Sequence, residues 1–336
     1  MAVAVVAGAR PQFIKAAALL PELRRRGEAH LVHTGQHADP RMVEAHFAGL
    51  DLPPPTVRLE TRSRDRAARL EEMARGLADW LAASRVTRVI ALGDADSAVA
   101  AAQAGSRSGI PVAHVEAGAR SFEPDLPEER NRIVVDDLAD LHFCSTQAHA
   151  RNLRGRPRVE VTGDVMADLL LAREGEIRKR VRGGGHALLT LHRAATADDP
   201  AALARVLEGA TGARRKVLFP VHPRTAASLP GLPSGVETLE PLPYLEFLSL
   251  VAGAAVVFTD SGGVQKEAYL LGVPCVTLRE ATEWGETVDA GWNVLVGTDP
   301  ARIAAAGRHP PRGPSRSPLF GDGRAAARIA ERVLSA

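Results

Sequence analysis

The sequence predicts an α/β protein of two Rossmann-like domains, each a doubly wound parallel sheet, facing each other across a central cleft. Three observations lead there. Short apolar runs alternate with longer amphipathic or alanine-rich stretches, the spacing that strand–helix–strand crossovers need. The 336 residues, 45% hydrophobic and 24% charged, suffice for two ordinary cores. The alternation pauses near Gly163-Asp164-Val165 and then resumes, which places the domain junction there. Residues 1–164 are expected to form the first domain and 165–318 the second, with a final helix in 319–336 packing back on the first.

Taken in order, residues 2–7 read as a buried strand, Gly8-Ala9-Arg10 as a turn, and Pro11 as the start of a helix reaching about residue 26. Residues 30–33 form a second strand, followed by Thr34-Gly35-Gln36-His37, and Pro53-Pro54-Pro55 interrupts the chain. Leu70, Met73, Leu77 and Leu81 mark one stripe of a helix over 63–83. Strand 86–92 ends in Gly93-Asp94, before an alanine-rich helix over 96–108. Val112, Ala113 and Val115 form a strand with Glu116 at its C-terminal end; a glycine turn with Arg120, a polar loop and a helix start at Pro127 follow. Strands 141–144 and 159–162 complete this half.

The second half repeats the pattern. Strands are expected at 187–191, 217–221, 236–239, 255–259, 275–278 and 294–296, with helices at 200–209, 243–251, 262–271 and about 300–306. Glycines 183–185 precede a strand and so read as a surface loop; residues 309–318 are a Pro/Arg-rich loop, and 323–334 is the last helix.

Composition excludes several classes. Lys+Arg 42 against Asp+Glu 40 leaves a formal charge of +2, against a strongly basic nucleic-acid binder. Cys144 and Cys275 stand far apart without metal spacing, and no H-E-x-x-H or Cys/His cluster suggests a metal. The N-terminus lacks the basic lead of a signal peptide, and no apolar stretch is long enough to cross a bilayer. The expectation is a soluble, cytoplasmic enzyme with neither membrane insertion nor a nucleic-acid partner.

Several residues can carry chemistry. Acids at strand ends of an open α/β sheet lie where ligands bind, so Asp94, Glu116 and Glu128 are candidate acid/base groups. The competing reading makes Glu128 and Glu129 electrostatic partners of a helix N-terminus. Arg10 and Lys15 offer cations beside a helix start, an anion site unless Lys15 is only a solvated helix lysine. No G-x-G-x-x-G or phosphate-loop signature follows the first strand, which argues against a dinucleotide cofactor. In VVFTDSGGVQKEA a buried strand meets a helix through Ser261, Gly262 and Gly263, which would let a diphosphate approach the backbone. Glu267 one turn on would accept from ribose hydroxyls. A plain N-cap with a packing glycine is the alternative. His192 and His222 follow successive strands, and two histidines opening on one cleft favour a functional role over a structural one.

Together these motifs resemble the non-hydrolysing UDP-N-acetylglucosamine 2-epimerase family. The matching segments are GARPQFIK at 8–15, TGQH at 34–37, GDADS at 93–97, HVEAGARS at 114–121, PEERNR at 127–132 and GDVMAD at 163–168. In the second half they are LHR at 191–193, PVHP at 220–223, TDSGGVQKEA at 259–268, TEWGETVDAGWN at 282–293 and GDG at 321–323. The resemblance implies a glycosyltransferase-B-like fold, a homodimer, and interconversion of UDP-GlcNAc and UDP-ManNAc without a redox cofactor. By position, Asp94, Glu116 and Glu128 match the family's catalytic carboxylates and His192 its active-site histidine. Arg10, Lys15, Ser261, Gly262, Gly263 and Glu267 match its substrate and UDP contacts, and His222 a histidine near the diphosphate.

Departures from the commonest pattern are Gln12 for Glu, Ala95 for Thr, Ala195 for Glu, Lys266 for an acid, and a shorter, more basic stretch at 62–69. Asp39 stands where many bacterial members have a glutamine that helps bind a second, activating UDP-GlcNAc, which puts such activation in question. GARPQFIK and TEWGET are similar to the branch acting on UDP-2,3-diacetamido-2,3-dideoxyglucuronic acid. The rival readings are a glycosyltransferase on the same fold, a nucleotide-sugar sensor without catalysis, and a hydrolysing relative that releases free ManNAc and UDP.

Overall fold

The run AVAVVA, Ala2–Ala7, forms β1 at the centre of a seven-stranded sheet, and all its residues are buried. A strand covered by helices on both faces has no reason to alternate, hence the unbroken apolar run. The computed structural model describes residues 1–36, 49–221, 223–226, 228, 229 and 231–335. Two units are recognised in it, Met1–Leu171 with Pro318–Ala336, and Ala172–Ser317.

In the first unit β1 is flanked on one side by β2 (Glu28–His33) and β3 (Val57–Arg58). On the other side lie β4 (Val86–Leu92), β5 (Val112–Val115), β6 (Leu141–Cys144) and β7 (Val159–Val161). The order is β3-β2-β1-β4-β5-β6-β7 and every pairing is parallel. Its direction of growth reverses between β1 and β4, the switch point where such sheets open a crevice for ligands. The crossovers are α1 (Arg10–Arg24), α2 (Arg66–Ala83), α3 (Asp96–Arg107), α4 (Pro127–Leu138) and α5 (Gln147–Asn152). In α3 the small residues Ala98, Ala101 and Ala102 are buried, and in α2 the expected stripe buries Met73, Leu77 and Leu81. That helix begins at Arg66 because Asp65 caps it, accepting from Ala68 N at 2.9 Å, while the backbone of Arg62 and Ser63 turns back onto Glu72.

Helix α6 (Val165–Arg180) occupies the stretch read as a pause. Its apolar residues crowd into VMADLLLA and its charges into REGEIRKR, so no helical stripe shows along its length.

The second unit repeats the topology with six strands in the order β10-β9-β8-β11-β12-β13. They are β8 (Ala187–Thr190), β9 (Val217–Pro220), β10 (Val236–Leu239), β11 (Val256–Thr259), β12 (Cys275–Thr277) and β13 (Asn293–Leu295). The helices are α7 (Ala194–Ala197), α8 (Pro200–Thr211), α9 (Pro223–Ala226), α10 (Tyr244–Gly253), α11 (Gly262–Leu271), α12 (Gly285–Asp289) and α13 (Pro300–Arg308). Leu203, Leu207, Phe219, Phe258, Val276 and Ile303 form its core. Burying a side chain such as Phe258 contributes roughly 1.5–3 kcal/mol.

The chain then returns to the first unit, where α14 (Ala325–Ser335) packs on α1. Ala326, Ile329, Ala330 and Val333 supply the buried face at helical spacing. Asp168 accepts from the first turn, Ala326 N to Oδ2 at 2.7 Å; burial holds its carboxyl above the ordinary value, and this bond opposes that shift without cancelling it. Among the described residues no helix is long and apolar enough to cross a membrane. The short elements β3, α5, α7, α9 and α12 were beyond the reach of periodicity.

Candidate active site

The β1/β4 switch point of the first unit gathers most of the acids singled out above. Gln12, in the first turn of α1, organises it: its Oε1 accepts from Gly8 N at 2.8 Å, Ala9 N at 3.0 Å and Ser97 Oγ at 2.5 Å. Its Nε2 donates to Leu92 O at 2.8 Å. A glutamate could not make that last bond, so glutamine here fastens the β1 turn to the end of β4.

Lys15 is not a solvated lysine. Its Nζ is buried and donates to Glu116 Oε1 at 2.8 Å. Arg10 begins α1 and is half-buried. Glu116 follows β5 with φ +74°, a left-handed backbone uncommon outside glycine. Residues held that way cost of order 1–3 kcal/mol and cluster at functional sites. Gly118, at φ +75°, completes the turn; a Cβ there would sit 2.3 Å from His149 O, so only glycine fits. A Cβ on Gly93 would lie 3.4 Å from Glu116 Oε1, which puts that carboxylate beside the Gly93-Asp94 turn.

Helix α4 supports the same turn. Arg132 Nη2 donates to Asp94 Oδ2 at 2.5 Å and Nη1 to Glu129 Oε2 at 3.0 Å. Asn131 Nδ2 donates to Asp94 O at 2.8 Å. Glu129 is buried and accepts from Ser121 N at 2.9 Å and Phe122 N at 3.3 Å, so it fixes the polar loop. Glu128 is exposed, one helical turn before Arg132, and its charge acts on Arg66. Asp96, absent from the sequence candidates, accepts from Arg66 Nη2 at 2.6 Å and Asn131 Nδ2 at 3.1 Å. Burial pushes its carboxyl up, but Arg66, Asn131 and Arg69 hold it below the ordinary value.

The second unit has its own switch point, between β8 and β11. Buried Asp260 accepts from His192 N at 2.9 Å and Arg193 N at 3.0 Å, tying the turn after β8 to the end of β11. Thr190 and Thr259 hydroxyls meet at 2.7 Å beneath it. The His192 side chain is 52% exposed, with Nδ1 3.8 Å from Asp260 Oδ1, close enough for attraction but too long for a hydrogen bond. Ser261 is the N-cap of α11, and its hydroxyl makes no capping bond to the helix it starts.

Packing alone already requires a glycine at 262. A Cβ there would fall 2.1 Å from Glu283 Oε1 and 2.9 Å from Trp284 Nε1, so the TEWGE segment takes that space. Glu283, paired with Arg279 at 2.8 Å, thereby sits at the positive end of α11. Gly263 is half-buried, and Glu267 is buried and accepts from Tyr244 Oη at 2.9 Å. Lys266 is buried with Nζ 4.1 Å from the centre of the Trp284 ring, a cation–π contact. His222 and Asp39 lie outside the described residues, as does the Ala195 side chain. Among the described residues no group of His, Cys, Asp and Glu could hold a metal ion.

Reasoning on the sequence missed His114, Asp136, Asp96 and Arg132, and weighed Asp260 only as a helix cap. The signal for Asp136 was an acid inside the apolar turn of α4; for Asp260, an acid immediately after a buried strand.

Known proteins match across this whole framework. The profile of the UDP-N-acetylglucosamine 2-epimerase family covers residues 21–334. A UDP-N-acetylglucosamine 2-epimerase homolog of Methanococcus maripaludis is 36% identical over 98% of this chain and 99% of its own. The UDP-2,3-diacetamido-2,3-dideoxy-D-glucuronate 2-epimerase of Pseudomonas aeruginosa is 37% identical over 98% of this chain and 99% of its own. The crystal structure of Methanocaldococcus jannaschii UDP-GlcNAc 2-epimerase, in complex with UDP-GlcNAc and UDP, superposes with a TM-score of 0.93 at 31% identity, covering 100% of both chains. Two doubly wound units with the same switch points thus accompany a sequence match from end to end, and the chain belongs to the UDP-N-acetylglucosamine 2-epimerase family.

Proposed function

We propose that this protein is a non-hydrolysing 2-epimerase of a UDP-N-acetylhexosamine. The observation that carries the reading is Glu116: a carboxylate on a left-handed residue at the end of β5, paired to buried Lys15 and set against the Gly93-Asp94 turn. The C2 hydrogen of such a sugar is not acidic, because no carbonyl adjoins it. A carboxylate taking that proton therefore needs UDP to leave C1 as the C2–H pair becomes the C1=C2 bond. The resulting 2-acetamidoglucal accepts a proton on the opposite face of C2, and a UDP oxygen closes again on C1.

Two faces require two acid/base groups, and Asp94, Glu116 and Glu128 are the candidates for them. Arg10 and the Ser261–Gly263 turn are assigned to the departing diphosphate, Lys15 to the substrate, Glu267 to the ribose and His222 to the neighbourhood of the diphosphate, with His192 as a catalytic histidine. Of Ala95 and Lys266, the two departures that motivate the reading of a sensor without catalysis, Lys266 packs on Trp284.

The test is NMR of the purified protein with UDP-GlcNAc in heavy water. Deuterium at C2 of recovered UDP-GlcNAc and UDP-ManNAc is expected; free ManNAc with UDP would indicate a hydrolysing enzyme, and glycoside formation a transferase. The Pseudomonas aeruginosa relative motivates one second reading, the same chemistry on UDP-2,3-diacetamido-2,3-dideoxyglucuronate. Exchange with that sugar and none with UDP-GlcNAc would decide for it.

A further inference from the structure

The Asp94 and Glu116 turns are separate in sequence, yet one buried pair holds both. His114, fully buried on β5, presents Nε2 3.0 Å from Gly93 O and Nδ1 2.6 Å from Asp136 Oδ1. A carbonyl oxygen only accepts, so Nε2 carries its hydrogen. Burial pushes the Asp136 carboxyl up, but the His114 and Arg120 charges beside it bring it down to about 2. Nδ1 and Oδ1 lie at hydrogen-bond distance, so the pair is bonded whichever of the two holds the proton. The other oxygen of Asp136 accepts from Gly118 N at 3.3 Å and Arg120 Nη2 at 2.6 Å. The bonded path therefore runs from Gly93, just before Asp94, through His114 and Asp136 to Gly118, just past Glu116.

We propose that His114 and Asp136 are positioning residues that fix the Asp94 and Glu116 turns relative to one another, and so set where two acid/base groups stand about C2 of the sugar. Both ring nitrogens of His114 are committed to protein partners, which leaves none for proton transfer to substrate. The inference rests on the epimerase reading for its consequence, though not for its geometry. Misplacing a reacting group by about 1 Å costs on the order of 10²-fold in rate, whereas binding contacts elsewhere are untouched.

The experiment divides the two arms of the ring. His114→Asn keeps a donor near the δ position toward Asp136 and loses the arm to Gly93; His114→Gln keeps a donor near the ε position and loses the arm to Asp136. Steady-state C2 exchange, UDP affinity and thermal unfolding are measured for both, with Asp136→Asn alongside. The expected result is kcat lower by about 10- to 100-fold, KM within about threefold and UDP affinity unchanged. A folded variant of either arm with kcat within about twofold of wild type would overturn the proposal. So would a loss carried equally by KM and UDP affinity, the mark of a general structural defect. Should the variants not fold, ring-nitrogen NMR of wild type decides: a hydrogen on Nε2 of His114 that is protected from exchange supports it, and Nε2 without a hydrogen refutes it. Wild type that exchanges no C2 hydrogen refutes the proposed reaction, whereas wild-type exchange with undiminished variants refutes only the positioning.

Discussion

Glu128 and Glu129 stand side by side on α4, one facing solvent and the other enclosed by Ser121, Phe122 and Arg132. Their substitutions should therefore separate chemistry from stability. Glu128→Gln is expected to lower C2 exchange by roughly 10²–10⁴-fold with an unchanged unfolding midpoint. Glu129→Gln leaves buried donors poorly met and is expected to cost about 1–3 kcal/mol in urea unfolding. The opposite pattern would exchange the two assignments. Asp136 gives a pH dependence. Its folded pKa, about 2, lies below the unfolded carboxylate value, so its contribution to stability is complete above about pH 4 and is lost as pH falls toward 2. Unfolding free energies between pH 5 and pH 2 should fall less steeply for Asp136→Asn than for wild type; equal slopes would show that Asp136 is not the linked group.

Among the elements, α14 owes its place to side chains distant in sequence. Its buried face, Ala326, Ile329, Ala330 and Val333, meets α1, and its first turn donates to Asp168. Ile329→Ala removes fully buried methyl groups and is expected to cost about 2–4 kcal/mol, measured by denaturant titration. A cost below about 1 kcal/mol would mean that the helix is not docked in solution. Strong stripes and turn residues made α1, α2, α3 and α11 legible in the sequence. Helix α6 was not, because its apolar residues are bunched at one end, and β3, only Val57–Arg58, is too short for any period to register.

Each unit carries its own sheet and core, so the ligand response of the whole molecule should be uneven. UDP alone is expected to stabilise the protein by about 2.7 kcal/mol at a hundredfold excess over Kd. In hydrogen exchange, the protected amides should lie in 190–193 and 259–268, with the turn at 116–118 unaffected. Protection confined to the first unit would contradict the assignment of the diphosphate to Ser261–Gly263.

The order of apolar runs and turns was enough to specify two doubly wound halves, and the strand-end rule picked out Asp94, Glu116 and Ser261 before any contact was known. Pattern carries that information because each crossover is local in sequence. What side chains do at those strand ends is settled by partners far along the chain. Lys15 reaches Glu116, Arg132 reaches Asp94, His114 joins Gly93 to Asp136, and Glu283 fills the space above Gly262. Local spacing shows which charges and donors are present; only tertiary structure decides which of them neutralise one another, because burial makes an unpaired charge too costly to keep.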